Sequence, residues 1–197
     1  KKYSGRIDPE RIYLTGFSMG CMMSHRFALE RSWMVAGFGC HGGNLNQKTL
    51  NNIDSSLTSE KEKFALLPMS VYMTGGSNDI LFDEEPFNKW GEWNNCTGTK
   101  VSNSIDDDTG LNATLNEYSS GCIGVQGEDT SYNTFNIHRL VITDGEHKID
   151  TRMARYTWNY LKDFKRKGSL SFKALAVNPG WNLITICDDN VVGVYNS

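Results

Sequence analysis

The sequence predicts an α/β fold in which a mostly parallel sheet is flanked by helices. Apolar β-type runs alternate along the chain with segments of helical periodicity, which is the pattern of parallel sheets. Several of these runs end in turns rich in glycine and polar residues, where such sheets bind their ligands. One of these turns, residues 16–20, joins a predicted strand directly to a predicted helix.

The first part of the chain predicts two strands around one helix. Residues 11–17 form an apolar β-type run, residues 19–31 have helical character, and residues 34–40 form a second short apolar run. His41 follows at the end of that second strand. The polar residues 46–63 are predicted as loop or irregular helix.

The middle of the chain predicts a third strand and an aromatic-rich helix. The strand covers residues 69–74, and the helix covers residues 84–93. A long polar stretch, residues 96–134, follows the helix. Because loops of this length are uncommon in compact domains, we expect this insertion to be functional or flexible.

The last part of the chain predicts one more strand and helix, followed by a segment with a different sequence pattern. Residues 137–143 are the fourth strand, and residues 149–166 are an amphipathic helix. Beyond them, residues 168–197 contain β-type runs after a short linker. We therefore expect a main domain over residues 1–167 and the start of a β-rich unit over residues 168–197.

The composition and net charge of the chain argue against some classes of binding partner. The chain has 197 residues, is 39% hydrophobic and carries a net charge of −3. A charge this small does not favour a nucleic-acid partner or an electrostatic membrane surface. No apolar run approaches the ~20 residues that span a bilayer, so no membrane span is expected.

The pentapeptide Gly16-Phe17-Ser18-Met19-Gly20 is the most specific motif in the chain. A strand, G-x-S-x-G and a helix in that order form a nucleophile elbow, a tight turn that presents the serine oxygen above the sheet. The tightness explains why small residues surround the serine. The N–H of Met19, at the start of the helix, is the predicted oxyanion donor.

A base and a carboxylate are expected at other strand ends. His147 follows the fourth predicted strand, and Asp79 follows the third. A histidine can accept the proton of Ser18, and a buried carboxylate orients the imidazole and stabilises its charged form. This predicts a catalytic triad of Ser18, Asp79 and His147 that requires neither a metal nor an organic cofactor.

Other residues compete for these roles. Asp83 is the alternative carboxylate, and Ser18 could instead cap the helix. His25 lies inside the predicted helix and His138 inside a strand, so neither is expected to reach the serine. His41 lies at a strand end, and we expect it to line the substrate pocket together with Phe17.

The cysteines suggest disulfides rather than a metal site. None of the five cysteines forms a C-x-x-C pair. Cys96 and Cys122 bracket a stretch rich in polar residues, so we expect a disulfide that closes it, with two unrelated thiols as the alternative. Cys21 and Cys40 could meet near the rim of the site, and their pairing stays open.

An acidic run at residues 106–112 resembles part of a calcium loop. No glutamate stands where such a loop needs its bidentate ligand, so a solvated acidic loop is favoured.

Further motifs support a resemblance to a known family. Besides the elbow and Asp79, the chain contains Trp90…Trp93-Asn94-Asn95-Cys96, Tyr118-Ser119-Ser120-Gly121-Cys122 and Gly145-Glu146-His147. Over residues 8–165 it resembles the polyhydroxybutyrate depolymerase and feruloyl esterase-like α/β-hydrolases. The resemblance implies a secreted serine esterase that acts on a polyester or on feruloyl or acetyl esters of plant polysaccharide. It also implies the roles already assigned to Ser18, Asp79 and His147.

Two other functions remain open. A serine peptidase of the prolyl-oligopeptidase type shares the fold and the order of the triad. A hydrolase-like binding module without activity is the alternative outside the enzymes.

The start and the end of the sequence lead to two further predictions. The elbow begins at residue 16, although several strands and an oxyanion loop normally precede it, so we expect a fragment that lacks the N-terminal part of the catalytic domain. The runs at residues 176–186 and 191–197 are similar to the start of a type IX secretion-sorting domain, which implies contact with the secretion machinery.

Overall fold

The structure, a computed structural model, describes residues 8, 10–45, 68–106, 110–120, 122 and 136–166. Within these ranges it contains a six-stranded sheet and three α-helices, so the predicted α/β class is confirmed. The predictions for residues 46–63 and 168–197 lie outside the described residues.

The elements follow the chain in the predicted alternation over most of its length. The strands are β1 (Tyr13–Phe17), β2 (Gly37–His41), β3 (Ser70–Gly76), β4 (Lys100–Asp106), β5 (Asn112–Tyr118) and β6 (Ile137–Ile142). The helices are α1 (Met19–Glu30), α2 (Glu85–Trp93) and α3 (Thr151–Leu161), with a short 3₁₀ turn at Ser32–Met34.

The sheet is mixed rather than mostly parallel. Its spatial order is β1-β2-β3-β6-β5-β4, and the first four strands in that order are parallel. The remaining two form an antiparallel hairpin, in which β5 pairs with the outer edge of β6. This hairpin lies inside the stretch predicted as an insertion, residues 96–134. Most of its side chains are polar, because much of the hairpin faces water.

The core lies on both faces of the sheet. Val71 and Met73 belong to one cluster with α1 and α2, whereas Tyr72 belongs to a second cluster packed against α3. Since neighbouring residues of a strand point to opposite faces, the helices enclose β3 from both sides. Enclosure of this kind keeps the ends of the parallel strands in fixed positions, and the candidate site is built on those ends.

Two disulfides cross-link the described part of the chain. Cys96 is bonded to Cys122, as predicted, and this bond joins the end of α2 to the segment that follows β5. Cys21 is bonded to Cys40, which fixes the first turn of α1 to β2. None of the described helices has the length and apolarity that crossing a membrane would require.

Candidate active site

The turn between β1 and α1 has the geometry of an elbow. Ser18 adopts φ 54° and ψ −115°, a backbone conformation that residues with a side chain rarely adopt. Its N–H donates to the carbonyl oxygen of His41 at 2.8 Å. The side chain makes no capping hydrogen bond to α1, so Ser18 does not serve as a side-chain cap, and its hydroxyl remains available.

The two glycines of the motif have different roles. A Cβ on Gly16 would lie 2.2 Å from the backbone carbon and oxygen of Gly20, so the close approach of strand and helix requires glycine there. A Cβ on Gly20 would meet nothing within 4 Å. The sequence-based explanation, that tightness requires both glycines, therefore holds only for the first.

The structure brings Ser18, His147 and Asp79 into one hydrogen-bonded chain. Nε2 of His147 lies 3.1 Å from Oγ of Ser18, and Nδ1 lies 2.9 Å from Oδ2 of Asp79. Because the carboxylate accepts, the proton of the neutral imidazole is assigned to Nδ1. The lone pair of Nε2 then faces the serine hydroxyl, which is the arrangement that general-base catalysis needs.

Within this hydrogen-bonded triad the carboxylate is buried, whereas the imidazole is partly exposed to solvent. The side chain of Asp79 is 1% exposed, whereas that of His147 is 36% exposed. Oδ1 of Asp79 also accepts the N–H of Leu81 at 2.9 Å, which is an Asx-type turn. Oδ1 of Asp79 thus makes the turn contact, whereas Oδ2 contacts the imidazole of His147. One side chain thus holds its own loop and the imidazole together.

The rival carboxylate has other partners. Asp83 accepts the amide N–H of Asn44 at 2.5 Å and the backbone N–H of Glu85 at 3.0 Å. Its contacts hold the start of α2 and the segment after β2, and the imidazole of His147 is bound by Asp79.

The turns after β3 and β6 are joined to each other. Asn78 N–H donates to the carbonyl of Gly145, and the N–H of Asp144 donates to the hydroxyl of Ser77, both at 2.9 Å. A Cβ on Gly76 would lie 2.0 Å from the carbonyl oxygen of Gly145, so glycine is required at this crossing as well. These contacts explain why Asp79 and His147 meet although they lie far apart in sequence.

A glycine that sequence analysis did not single out lies behind the Asp79–His147 pair. Gly42 has φ 53°, and a Cβ there would lie 2.9 Å from Oδ2 of Asp79 and 3.4 Å from Nδ1 of His147. A side chain at this position would press on the hydrogen bond between them. The only signal in the sequence is the pair Gly42-Gly43 after a predicted strand.

Phe17 and His41, the two predicted pocket residues, occupy different places. The ring of Phe17 stacks on the imidazole of His147, with centroids 4.9 Å apart and planes inclined by 29°. His41 is buried within the sheet, where its Nδ1 lies 2.6 Å from Oγ1 of Thr74 and its Nε2 lies 3.1 Å from Oγ1 of Thr15. Burial lowers the pKa of His41 to about 4, so this imidazole is neutral near pH 7.

The other two histidines are held away from the serine. His25 is fully buried, and desolvation lowers its pKa to about 3. His138 packs between Tyr72 and Tyr160, and burial lowers its pKa to about 4 although Oε2 of Glu117 lies 3.1 Å from its Nε2. Neither histidine contacts Ser18, in agreement with the expectation from the sequence, and both have structural contacts.

One group of potential metal ligands occurs among the described residues, formed by Cys21, His25 and Cys40. The indole N–H of Trp90 donates to Nδ1 of His25 at 2.9 Å, so the proton of the neutral imidazole is on Nε2. Nε2 lies 3.2 Å from Sγ of Cys40 and faces it as a donor, without a free lone pair. With both sulfurs in a disulfide, the donor set does not fit a metal.

Met19 is the first residue of α1, so its N–H has no partner within the helix. Its side chain is strongly exposed, and it lies directly after Ser18. Met19 stays the predicted oxyanion donor, because the free N–H groups at the start of a helix favour negative charge.

No family model matches the chain, and no curated protein is significantly similar to it.

Proposed function

We propose that the protein is a serine esterase of the α/β-hydrolase type. The single observation that carries this proposal is the hydrogen-bonded chain from Ser18 through His147 to Asp79. Four parallel strands, with a strained serine between the first of them and the following helix, are consistent with that fold type.

The reaction begins when Ser18 attacks the carbonyl carbon of an ester. His147 takes the hydroxyl proton on Nε2 as the new C–O bond forms. Asp79 accepts the hydrogen bond from Nδ1 and stabilises the imidazolium, because its carboxylate is buried and close. The N–H of Met19 donates to the oxyanion of the tetrahedral intermediate.

Collapse of this intermediate releases the alcohol and leaves an acyl group on Ser18. His147 gives its proton to the departing alkoxide oxygen. It then deprotonates a water molecule that attacks the acyl-enzyme, and the acid leaves when Ser18 recovers its proton. The nucleophile, the general base and the orienting carboxylate of these steps are all side chains of the protein.

The proposed substrate is an ester of a polyester or of plant polysaccharide, either feruloyl or acetyl. This choice rests on the resemblance of motifs such as Trp93-Asn94-Asn95-Cys96 to those of polyester and feruloyl esterases. The two disulfides are compatible with an extracellular location, because such bonds persist in oxidising compartments. Secretion is therefore part of the proposal.

The test uses the full-length natural protein and compares the wild type with Ser18→Ala on a p-nitrophenyl ester, a feruloyl ester and a peptide amide. We expect turnover of an ester by the wild type and its loss in Ser18→Ala. Ser24→Ala is the matched control, because Ser24 lies in the helix that follows Ser18 and its hydroxyl donates to the carbonyl of Gly20. Full activity of Ser18→Ala would refute the assignment.

The same experiment separates the alternatives. Faster cleavage of the amide than of both esters would indicate a peptidase. A wild-type protein that neither turns over any of the three substrates nor reacts at Ser18 with a fluorophosphonate would be a binding module.

A further inference from the structure

Phe17 lies against one face of the imidazole of His147. The ring centroids are 4.9 Å apart and the planes are inclined by 29°, which is a stacked arrangement. Hydrogen bonds to Asp79 and Ser18 hold the two nitrogens at the edge of the imidazole. Contact with the face is therefore independent of the contacts that the triad itself supplies.

The position of Phe17 is set by the elbow. Phe17 is the last residue of β1 and pairs with His41 of β2, so its backbone is part of the sheet. Ser18 follows directly in its strained conformation. The turn that presents the serine hydroxyl to Nε2 therefore also fixes the benzyl ring against the imidazole.

The orientation of the His147 imidazole requires a further restraint. Its side chain is 36% exposed, and it belongs to a turn rather than to a strand or helix. Two edge hydrogen bonds restrain the nitrogens but still allow the imidazole to tilt about the line that joins them. A rigid ring on one face opposes this tilt.

The face contact also changes with the charge of the imidazole. The face of an aromatic ring carries negative partial charge, so it attracts a cation more strongly than a neutral ring. In the proposed reaction His147 becomes a cation when it takes the proton of Ser18. The contact is thus stronger in the transition state than in the resting enzyme, which is the condition for it to raise kcat.

We propose that Phe17 is a positioning residue for His147, whose ring holds the imidazole in line with Ser18 and Asp79 and favours its charged form. This inference rests on the proposed function. It differs from the expectation that Phe17 lines the substrate pocket, because a pocket residue acts on the substrate and a positioning residue acts through His147.

The two roles give different kinetics. For Phe17→Leu we expect kcat to fall about 3- to 30-fold, the range that corresponds to the strength of a cation–aromatic contact. KM should stay within about twofold, and the factor should be the same for esters with short and long acyl chains, because the substrate does not touch the ring. A pocket residue would instead raise KM by a factor that depends on the acyl chain.

Conservative variants separate ring chemistry from ring shape. Phe17→Tyr and Phe17→Trp should retain most of kcat, because each keeps an aromatic face at this position. Replacement of Phe17 by phenylalanines with increasing numbers of ring fluorines keeps the shape and removes negative charge from the face. We expect kcat to fall stepwise along this series while the thermal midpoint of unfolding stays constant.

The matched control is Trp158→Leu. It also removes an aromatic contact of β1, since Trp158 packs edge-on against Tyr13 with centroids 6.0 Å apart, but that contact is remote from the triad. We expect its kcat to equal that of the wild type. An equal loss in Trp158→Leu would mean that packing of β1, and not contact with His147, explains the effect.

A measurement without turnover tests the contact directly. In the NMR spectrum, the carbon-bound protons of the His147 ring should be shifted upfield by the stacked benzyl ring, and this shift should disappear in Phe17→Leu. Loss of the shift with unchanged kcat would overturn the positioning role and leave the esterase proposal intact. Absence of the shift in the wild type would overturn the inference whatever the activity. A different result, full turnover by Ser18→Ala, would refute the esterase proposal itself.

Discussion

The carbonyl oxygen of His41 accepts the N–H of Ser18 at 2.8 Å, across the gap between the end of β2 and the turn after β1. The contact joins the strained residue of the elbow to the neighbouring strand. The side chain of the same histidine is held by threonines of β1 and β3. The position of the nucleophile thus depends on contacts among three adjacent strands, β1, β2 and β3.

Thr74→Val should lower both stability and reactivity. The substitution keeps the volume and removes the hydroxyl that lies 2.6 Å from Nδ1 of His41, so a buried polar atom loses its partner. Such a loss costs about 1–3 kcal/mol in the free energy of unfolding. We expect this decrease in urea denaturation, together with slower labelling of Ser18 by a fluorophosphonate.

Thr15→Val is the comparison for this variant. Its hydroxyl lies 3.1 Å from Nε2 of His41, and Thr15 is exposed, so water can replace the lost partner. A cost below about 1 kcal/mol is expected. Equal costs for the two variants would argue against a special role of the buried contact.

Gly16→Ala and Gly20→Ala should have opposite effects on stability. The new Cβ at position 16 would lie 2.2 Å from backbone atoms of Gly20, and backbone overlap of this kind costs about 1–3 kcal/mol or more. At position 20 the Cβ meets open space inside α1, where alanine is favoured over glycine by up to about 1 kcal/mol. Urea denaturation of both variants measures the difference, and a Gly16→Ala protein as stable as the wild type would contradict the packing of the elbow.

Asp79→Asn should lower kcat about a thousandfold or more with little change in KM. An amide can donate to Nδ1 of His147, which favours the tautomer whose Nε2 carries the proton and cannot accept one from Ser18. Steady-state kinetics on an ester measure this loss.

Asp83→Asn is the matched control for the carboxylate. Asp83 binds Asn44 and the N–H of Glu85, so its substitution affects a helix start and not the base. A loss of kcat in Asp83→Asn as large as that in Asp79→Asn would reverse the assignment of the two carboxylates.

Acidification should destabilise the protein below about pH 6.5. His25, His41 and His138 have folded-state pKa values of about 3, 4 and 4, below the ordinary value of 6.5. Between pH 6.5 and 4 the unfolded chain therefore binds protons that the folded chain does not, and stability falls as the pH falls. Each histidine contributes about 1 kcal/mol per pH unit in this window.

Urea denaturation at pH 7, 6 and 5 measures this slope. His138→Gln removes one of the three groups, so its free energy of unfolding should fall less steeply than that of the wild type. Identical slopes for the two proteins would contradict the buried, neutral state of His138.

Much of the candidate site could be predicted because it depends on order along the chain. The ends of parallel strands meet at one edge of a sheet, so Ser18, Asp79 and His147 could be placed near one another from the predicted strands alone. The hairpin of β4 and β5 was not predicted, because its largely polar side chains resemble those of a loop. The burial of His41 and the place of Gly42 depend on neighbours from three strands, which no local pattern in the sequence records.

The hairpin has a consequence for how this protein can vary. In the sequence the β4–β5 hairpin lies between Asp79 and His147. In space it extends the sheet beyond the outer edge of β6. The register of β3 against β6 is set by their own direct pairing. Variation confined to the outermost strand, β4, therefore leaves the alignment of the acid and the imidazole to β3 and β6, whereas Ala113 of β5 and the preceding Leu111 belong to the buried core.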